Sequence, residues 1–484
     1  MDINTPQAVA VSIPQTFGMA DAQIETAKPV AAADRIKTID IIRGVALCGI
    51  LLMNIPGFGI IFTAFDDVRR GPHNTADYFT DETIAVFFEG TMRGLFSMLF
   101  GAGMILFTQN KTNRPGSATV AELYYRRLLW LTLFGIVNGY IFLWWGDILY
   151  AYGLCGMLLY PFRKTAVKWL FIMGLTLMAI GAIRNQWSYS ETRQQRADYL
   201  AAVAAEKAGK KLTAEQEEAK AAWPQTESRR PPENFVREHV AQMRSNYGGV
   251  FNSLLPWNVS IEAWGMNQWG VWDCVSMMLI GMALFRLGYF SNKCSTSTYL
   301  MGLVLGYGIG IPVGYIIYHS GDLGSLNYGA YVDSFRVNHQ NLYDIKRIFL
   351  CLGHASLILL VFRSRVVPWL MKALANVGQM AFTNYLMQSI ICTLFFYGYG
   401  LGNYNKLKLH ELYYVVGAVW LFQLIASSIW LRFFRFGPFE WLWRSLTYWE
   451  KQPMQKKKHQ QLKADFNRLR QFKLYYVLNE LLTS

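Results

Sequence analysis

This chain contains no Cys-x-x-Cys pair and no cluster of histidines, so neither a zinc site nor a dithiol redox centre is written into it. Its six cysteines lie apart, at positions 48, 155, 274, 294, 351 and 392. That scatter argues against a disulfide framework. Charge is scarce too, at 16% of residues. The first 33 residues lack a basic stretch followed by an apolar core, which argues against a cleaved signal peptide. Glycines in the run FSMLFGAG, Gly101 and Gly103, have neither the preceding strand nor the lysine of a phosphate loop. They read instead as points of close helix approach.

What is abundant is apolar surface: 53% hydrophobic residues and 15% aromatics. Apolar runs near the ~20 residues needed to cross a bilayer recur along most of the chain. Ten spans are expected, at 38–62, 83–107, 128–143, 147–162, 167–186, 270–290, 299–318, 345–362, 370–399 and 412–433. The fold class is therefore an all-α polytopic membrane protein. The net charge of +14 does not point to nucleic acid, because most basic residues sit beside the spans and set topology. Alternate loops are basic, with Arg126 and Arg127 in one and Arg163 and Lys164 in the next. This pattern agrees with an even span count and predicts both termini in the cytoplasm.

Five regions follow: a polar tail at 1–34, membrane helices at 35–187, an extracytoplasmic helical insert at 188–259, further membrane helices at 260–436, and a basic tail at 437–484. The insert reads as two helices, the first broken at Pro224 and the second starting at Pro232. Composition suits a cap over the spans better than a lid. From 451 to 484 the tail carries Leu462, Phe466, Leu469, Phe472 and Tyr476 at helical spacing among eight Lys and Arg. A basic amphipathic helix of this kind is expected to lie on anionic lipid headgroups. Homo-oligomerisation is compatible with all of this.

Polar residues inside spans are the chemical signal, since charge in a membrane helix usually faces a protein interior or a cavity. On the first span Asp40, Arg43 and Asn54 fall within a sector of roughly 60°. Asp40 and Arg43 can pair, or together bind an anion. Asn54 lies beside Pro56 and Gly57, which are expected to end or kink the helix. Glu89 and Arg93 have the favoured i, i+4 order for an internal ion pair. Asn138 and Asp147 bracket a Trp-rich turn. Asp147 suits a helix cap or, less readily, a general base. Asp273 is a further cavity candidate. Asn384 and Gln388 share a face and suit interhelical hydrogen bonding. His354 is the one histidine deep in a span, where it serves packing or proton transfer.

The blocks DIIRGVALCGILLMNI, LFSMLFGAG, GDILYAYGLCG, MMLIGMAL, GQMAFTNYLMQSIICTLFFYG and WLRFFRFGPFEWLWRSLT, in this order, resemble the YeiB family of bacterial inner-membrane proteins. The Asp-x-x-Arg-Gly start with a later Asn is also similar to that of the membrane enzymes that acetylate heparan glucosamine. That wider resemblance implies a transmembrane acyltransferase taking an acyl group from a cytoplasmic acyl-CoA or similar thioester to a sugar-like acceptor. Asp40, Arg43, Gly44 and Asn54 occupy the matching positions, and Arg126 would join them at donor entry. No metal is implied. The chain departs from both patterns in its histidines. Asn138 stands where YeiB-like chains often have His, and His73, 19 positions after Asn54, is the nearest histidine to it. Asp147, His73, Glu89 or His354 would have to take the proton. Two other readings stay open: a transporter or lipid-handling protein using the same polar track, and a scaffold recruiting partners through its basic tail.

Overall fold

In a computed structural model, residues 36–109, 118–228 and 231–456 are described. Eighteen α-helices run through them: α1 (Lys37–Gly59), α2 (Thr63–Arg70), α3 (Ala76–Phe87), α4 (Thr91–Gln109), α5 (Val120–Tyr140), α6 (Leu149–Met157), α7 (Val167–Lys207), α8 (Ala214–Ser228), α9 (Glu233–Met243), α10 (Tyr247–Ser260), α11 (Ser276–Arg286), α12 (Thr296–Leu326), α13 (Tyr328–Ser334), α14 (Tyr343–Ser364), α15 (Pro368–Gln379), α16 (Ala381–Phe396), α17 (Leu409–Phe433) and α18 (Pro438–Tyr448). A π-helical stretch, Ile261–Val275, joins α10 to α11. Among the described residues no strand forms, and the protein is an all-α, multi-pass membrane protein. Six helical stretches are long and apolar enough to cross a bilayer: Lys37–Gly59, Ala76–Gln109, Val167–Lys207, Thr296–Leu326, His339–Ser364 and Leu409–Phe433. The predicted tails at 1–34 and, from residue 457, at the C-terminus lie outside the described residues.

Helix α1 is the axis of the bundle. Its most apolar window is 72% buried, against 17% for that of α7 and 22% for that of α12. It packs on α4, α15, α16 and α17. The tightest crossing is with α15. A Cβ at Gly44 would overlap the Leu374 carbonyl, and one at Gly378 would overlap the Asp40 carbonyl. Gly101 plays the same part on α4, against the Met278 backbone, whereas Gly103 faces open space.

Pro56 does not end α1, which continues to Gly59. A proline removes the amide that would bond the carbonyl four residues back. Here that acceptor, Leu52 O, receives the Tyr413 hydroxyl at 3.3 Å instead. One turn earlier the Trp420 indole donates to Cys48 O at 3.1 Å. Side chains of α17 thus replace or supplement the helix's own bonds around the proline.

The segment expected as one span at 370–399 is two helices, broken at Met380. Glu440, on α18, explains the break. Its Oε1 accepts from the Phe382 and Thr383 amides at 2.7 and 3.1 Å, and the Thr383 hydroxyl donates to its other oxygen. The carboxylate satisfies orphan donors of α16 and faces the positive end of its dipole. Glu440→Ala is expected to cost about 1–2 kcal/mol, as for other helix caps. Glu440→Gln, which keeps an acceptor, should cost less. Melting of the two purified variants checks the order.

At the insert, α7 continues unbroken from the membrane into it. Helix α8 runs through Pro224, contrary to the break expected there. The interruption falls instead near Gly209, at φ +68°. Helices α9 and α10 dock on the loop between α16 and α17. Arg244 donates to the Tyr404 and Asn405 carbonyls at 2.7 and 3.0 Å, and the Gly398 amide donates to Met243 O at 2.9 Å.

Candidate functional site

The polar face of α1 is divided between two places. At the end where the helix starts, Asp40 and Arg43 form the expected pair, at 2.9 Å. Eleven residues on, about 16 Å along the axis at the usual rise, Asn54 is half-buried and lines a cavity of about 480 Å³. Its side chain makes no hydrogen bond to any other described residue, so the amide is available to a ligand.

Three elements close this cavity. The turn between α5 and α6 contributes Trp144, Trp145 and Asp147. The insert and the π-helical stretch contribute His239, Trp257 and Glu262. The junction between α3 and α4 contributes Glu89 and Arg93. Aromatic rings form one wall, with Trp144 stacked on Phe58 at 3.8 Å and Trp145 and Trp257 6.0 Å apart. A few polar groups set among aromatic surface is the usual make-up of a small-molecule site, and flat rings beside carboxylates suit a sugar-like ligand.

His239 is the functional candidate that the sequence reading missed. Its Nδ1 is 2.9 Å from the Ser253 hydroxyl and its Nε2 3.2 Å from the Tyr404 hydroxyl. Burial holds the imidazole below its ordinary pKa, so it is neutral at pH 7 and can accept a proton. Nothing in its sequence neighbourhood marks it. It reaches the cavity only because Arg244 and Met243, on the same stretch of chain, bind the 397–408 loop.

Asp147 is held rather than free. It accepts from Asn138 Nδ2 at 2.8 Å, the Tyr150 amide at 2.9 Å and the Tyr385 hydroxyl at 3.4 Å. The Tyr150 bond caps the start of α6, and Asn138 braces the carboxylate from α5. Glu262, on the opposite wall, accepts from the Tyr140 hydroxyl at 2.9 Å.

Glu89 and Arg93 do not pair with each other. Gly90, at φ +71°, breaks the helix between them and removes the i, i+4 geometry. Arg93 forms an ion pair with Asp273 at 2.8 Å, and Asp273 also pairs with Arg347. Glu89 lies 3.5 Å from the buried Lys346. Asp273 is therefore the shared counter-ion of two arginines at the edge of the cavity.

The remaining predicted residues lie elsewhere. His73 stacks on Tyr78 at 4.2 Å and bonds Arg69 O at 3.1 Å, away from the cavity lining. His354 is satisfied by the Tyr307 hydroxyl and Phe87 O at 2.9 and 3.0 Å. Asn384 bonds Ser427 at 2.9 Å and Gln388 bonds Gln423 at 3.1 Å, tying α16 to α17. Arg126, on α5, donates to Thr447 O at 3.3 Å and lies 5.4 Å from the Trp449 ring. Beside it the Arg127 guanidinium stacks on Trp443 at 3.6 Å, with Arg43 and Arg444 within electrostatic reach.

Residues 284–450 match a family model described as "Protein of unknown function (DUF418)". The chain is 32% identical over 426 residues to "Uncharacterized protein YeiB" of Escherichia coli (strain K12), covering 86% of this chain and 96% of that one. It is 30% identical over 441 residues to "Uncharacterized protein YxaH" of Bacillus subtilis (strain 168), covering 89% and 98%. A Bacillus acidopullulyticus relative, "Uncharacterized 39.9 kDa protein in amylase 3'region", is 24% identical over 441 residues, 89% of this chain and 99% of that one. No solved structure matches.

Proposed function

Because this chain belongs to the YeiB family of membrane proteins, we propose that it is a membrane acyltransferase carrying an acyl group from a thioester donor to a sugar-like acceptor. The observation that supports this best is the place of Asn54. The residue that carries the resemblance to glucosamine acetyltransferases lines a cavity that also holds a neutral histidine and an arginine. In this reading the chain crosses a bacterial inner membrane ten times, with both termini cytoplasmic. The short helices α6, α11, α15 and α16 complete spans together with their neighbours.

An acyl-CoA, or a similar thioester, enters at Arg43, Arg126 and Arg127. The distance to Asn54, about 16 Å by helix rise, is bridged by the donor's own flexible arm. The acceptor hydroxyl or amine attacks the thioester carbonyl and gives its proton to His239, directly or through the Tyr404 hydroxyl. The new acyl–oxygen or acyl–nitrogen bond forms as the carbon–sulfur bond breaks. The departing thiolate then takes up a proton. Asn54 donates to the oxygen on which negative charge develops. Asp147 positions α6 and the Trp-rich turn against the acceptor.

His239 gives this reading a pH signature. A histidine held below its ordinary value of ~6.5 stays a base to lower pH, so kcat/KM should fall only below that value. His239→Gln should lower the rate and abolish the acid limb. The test of the function itself is turnover of acyl-CoA by purified protein in the presence of candidate acceptors. Thioester loss with label on an acceptor supports transfer. A folded protein that turns over no thioester, with any acceptor, rejects it.

The cavity between membrane helices also favours one second reading, a transporter or lipid-handling protein. It predicts solute flux in proteoliposomes with no thioester consumed.

A further inference from the structure

A second cavity, of about 690 Å³, lies at the end of the bundle where α4 and α11 finish and α5 begins. Arg163, Lys164, Arg286 and Lys293 line it, and among the described residues no carboxylate does. Cations at helix ends usually serve the fold, and two at this end of the bundle do. Arg286 donates to the Thr165 and Arg163 carbonyls. Arg363 clasps the turn at 292–296 through Asn292, Cys294 and Thr296. Lys164 and Lys293 differ. Neither makes an ion pair or a side-chain hydrogen bond with any described residue, yet both border the cavity. Arg163 adds a half-buried guanidinium steadied over the Tyr160 ring at 4.0 Å.

The rest of the lining is largely apolar, with Ile105, Val120, Phe285 and Leu287. Leu287 is 54% exposed, which carries the apolar lining out to the surface of the bundle. Lys164 and Lys293 are exposed at the mouth, Ile105, Val120 and Phe285 are buried behind them, and Leu287 continues the apolar surface outward; such a site matches a ligand that carries phosphate at one end and hydrocarbon at the other. A soluble phosphate would use the cations and leave the apolar surface idle.

We propose that this cavity binds the headgroup of an anionic phospholipid, with its phosphate between Lys164, Lys293 and Arg163 and its chains over Leu287. Basic pockets between membrane helices recognise such headgroups through the same charge complementarity. The site is separate from the Asn54 cavity, and the proposal stands whether or not acyl transfer is the activity.

The test is thermal melting of the full-length purified protein in phosphatidylcholine nanodiscs with and without phosphatidylglycerol, with native mass spectrometry of retained lipid. Phosphatidylglycerol should raise the melting temperature and remain bound. The Lys164→Gln/Lys293→Gln variant should lose most of that shift and of the retained lipid. Lys168→Gln/Lys372→Gln, which removes two exposed charges elsewhere, should keep both. Cooperative melting of each variant in phosphatidylcholine alone shows that it is folded. Equal loss in the two variants would mean diffuse charge attraction and overturn the site. So would no effect of phosphatidylglycerol on the unmodified protein, or stabilisation by soluble glycerol phosphate alone.

Discussion

Replacing Asp273 with alanine should destabilise the protein by about 3–5 kcal/mol, the range for removing one partner of a buried ion pair. Asp273 is the counter-ion that Arg93 and Arg347 share, and Arg347 is almost wholly buried. Without it the two guanidiniums confront each other in surroundings of low polarity. For Arg347, Asp344 remains at 3.4 Å, a longer contact than the one lost. The expected result is a large fall in melting temperature, with loss of folded protein in detergent. Buried pairs replaced whole by apolar groups of similar size often cost little. Arg347→Met should therefore recover part of the stability of an Asp273→Leu background. If Asp273→Ala melts like the unmodified protein, the network is not holding α4, α14 and the π-helical stretch together.

The second large effect concerns chemistry rather than folding. Asn54→Ala should lower acyl transfer by about 10²–10³, as expected for loss of one oxyanion donor. Its melting temperature should barely change, because the amide is bonded to no other described residue. Asp147→Ala should behave in the opposite way. It strips a bond from the α6 terminus and leaves buried Asn138 without its acceptor, so stability and activity should fall together. Measuring the melting temperature and the rate on the same preparations separates the two. Equal stability loss in both variants would place Asn54 in the fold rather than in the reaction.

The parts of this site legible in the sequence are those that one helix determines by itself. Asp40 and Arg43 pair because helical residues three apart are neighbours. Asn54 falls on the same face by the same periodicity. Asn384 and Gln388 are interhelical ties, since amides in apolar helices seek partners. Glu89 and Arg93 depart from expectation through a local feature, the positive φ of Gly90, which turns a regular spacing into a corner. His239 and Glu440 are invisible for a different reason. Their partners lie far along the chain: Tyr404 is 165 residues from His239, and Thr383 is 57 from Glu440. No periodicity carries such information. The insert's composition suggests only a cap, and its docking through Arg244 is what turns it into a wall of the cavity.

The most direct test of acyl transfer is binding of acetyl-CoA and longer acyl-CoAs to the detergent-purified protein, followed by thermal shift, with Arg43→Gln beside it. The expected result is saturable stabilisation by the thioester that is weakened or lost in Arg43→Gln. A cooperatively melting protein that no thioester stabilises would contradict it and favour transport through the same cavity.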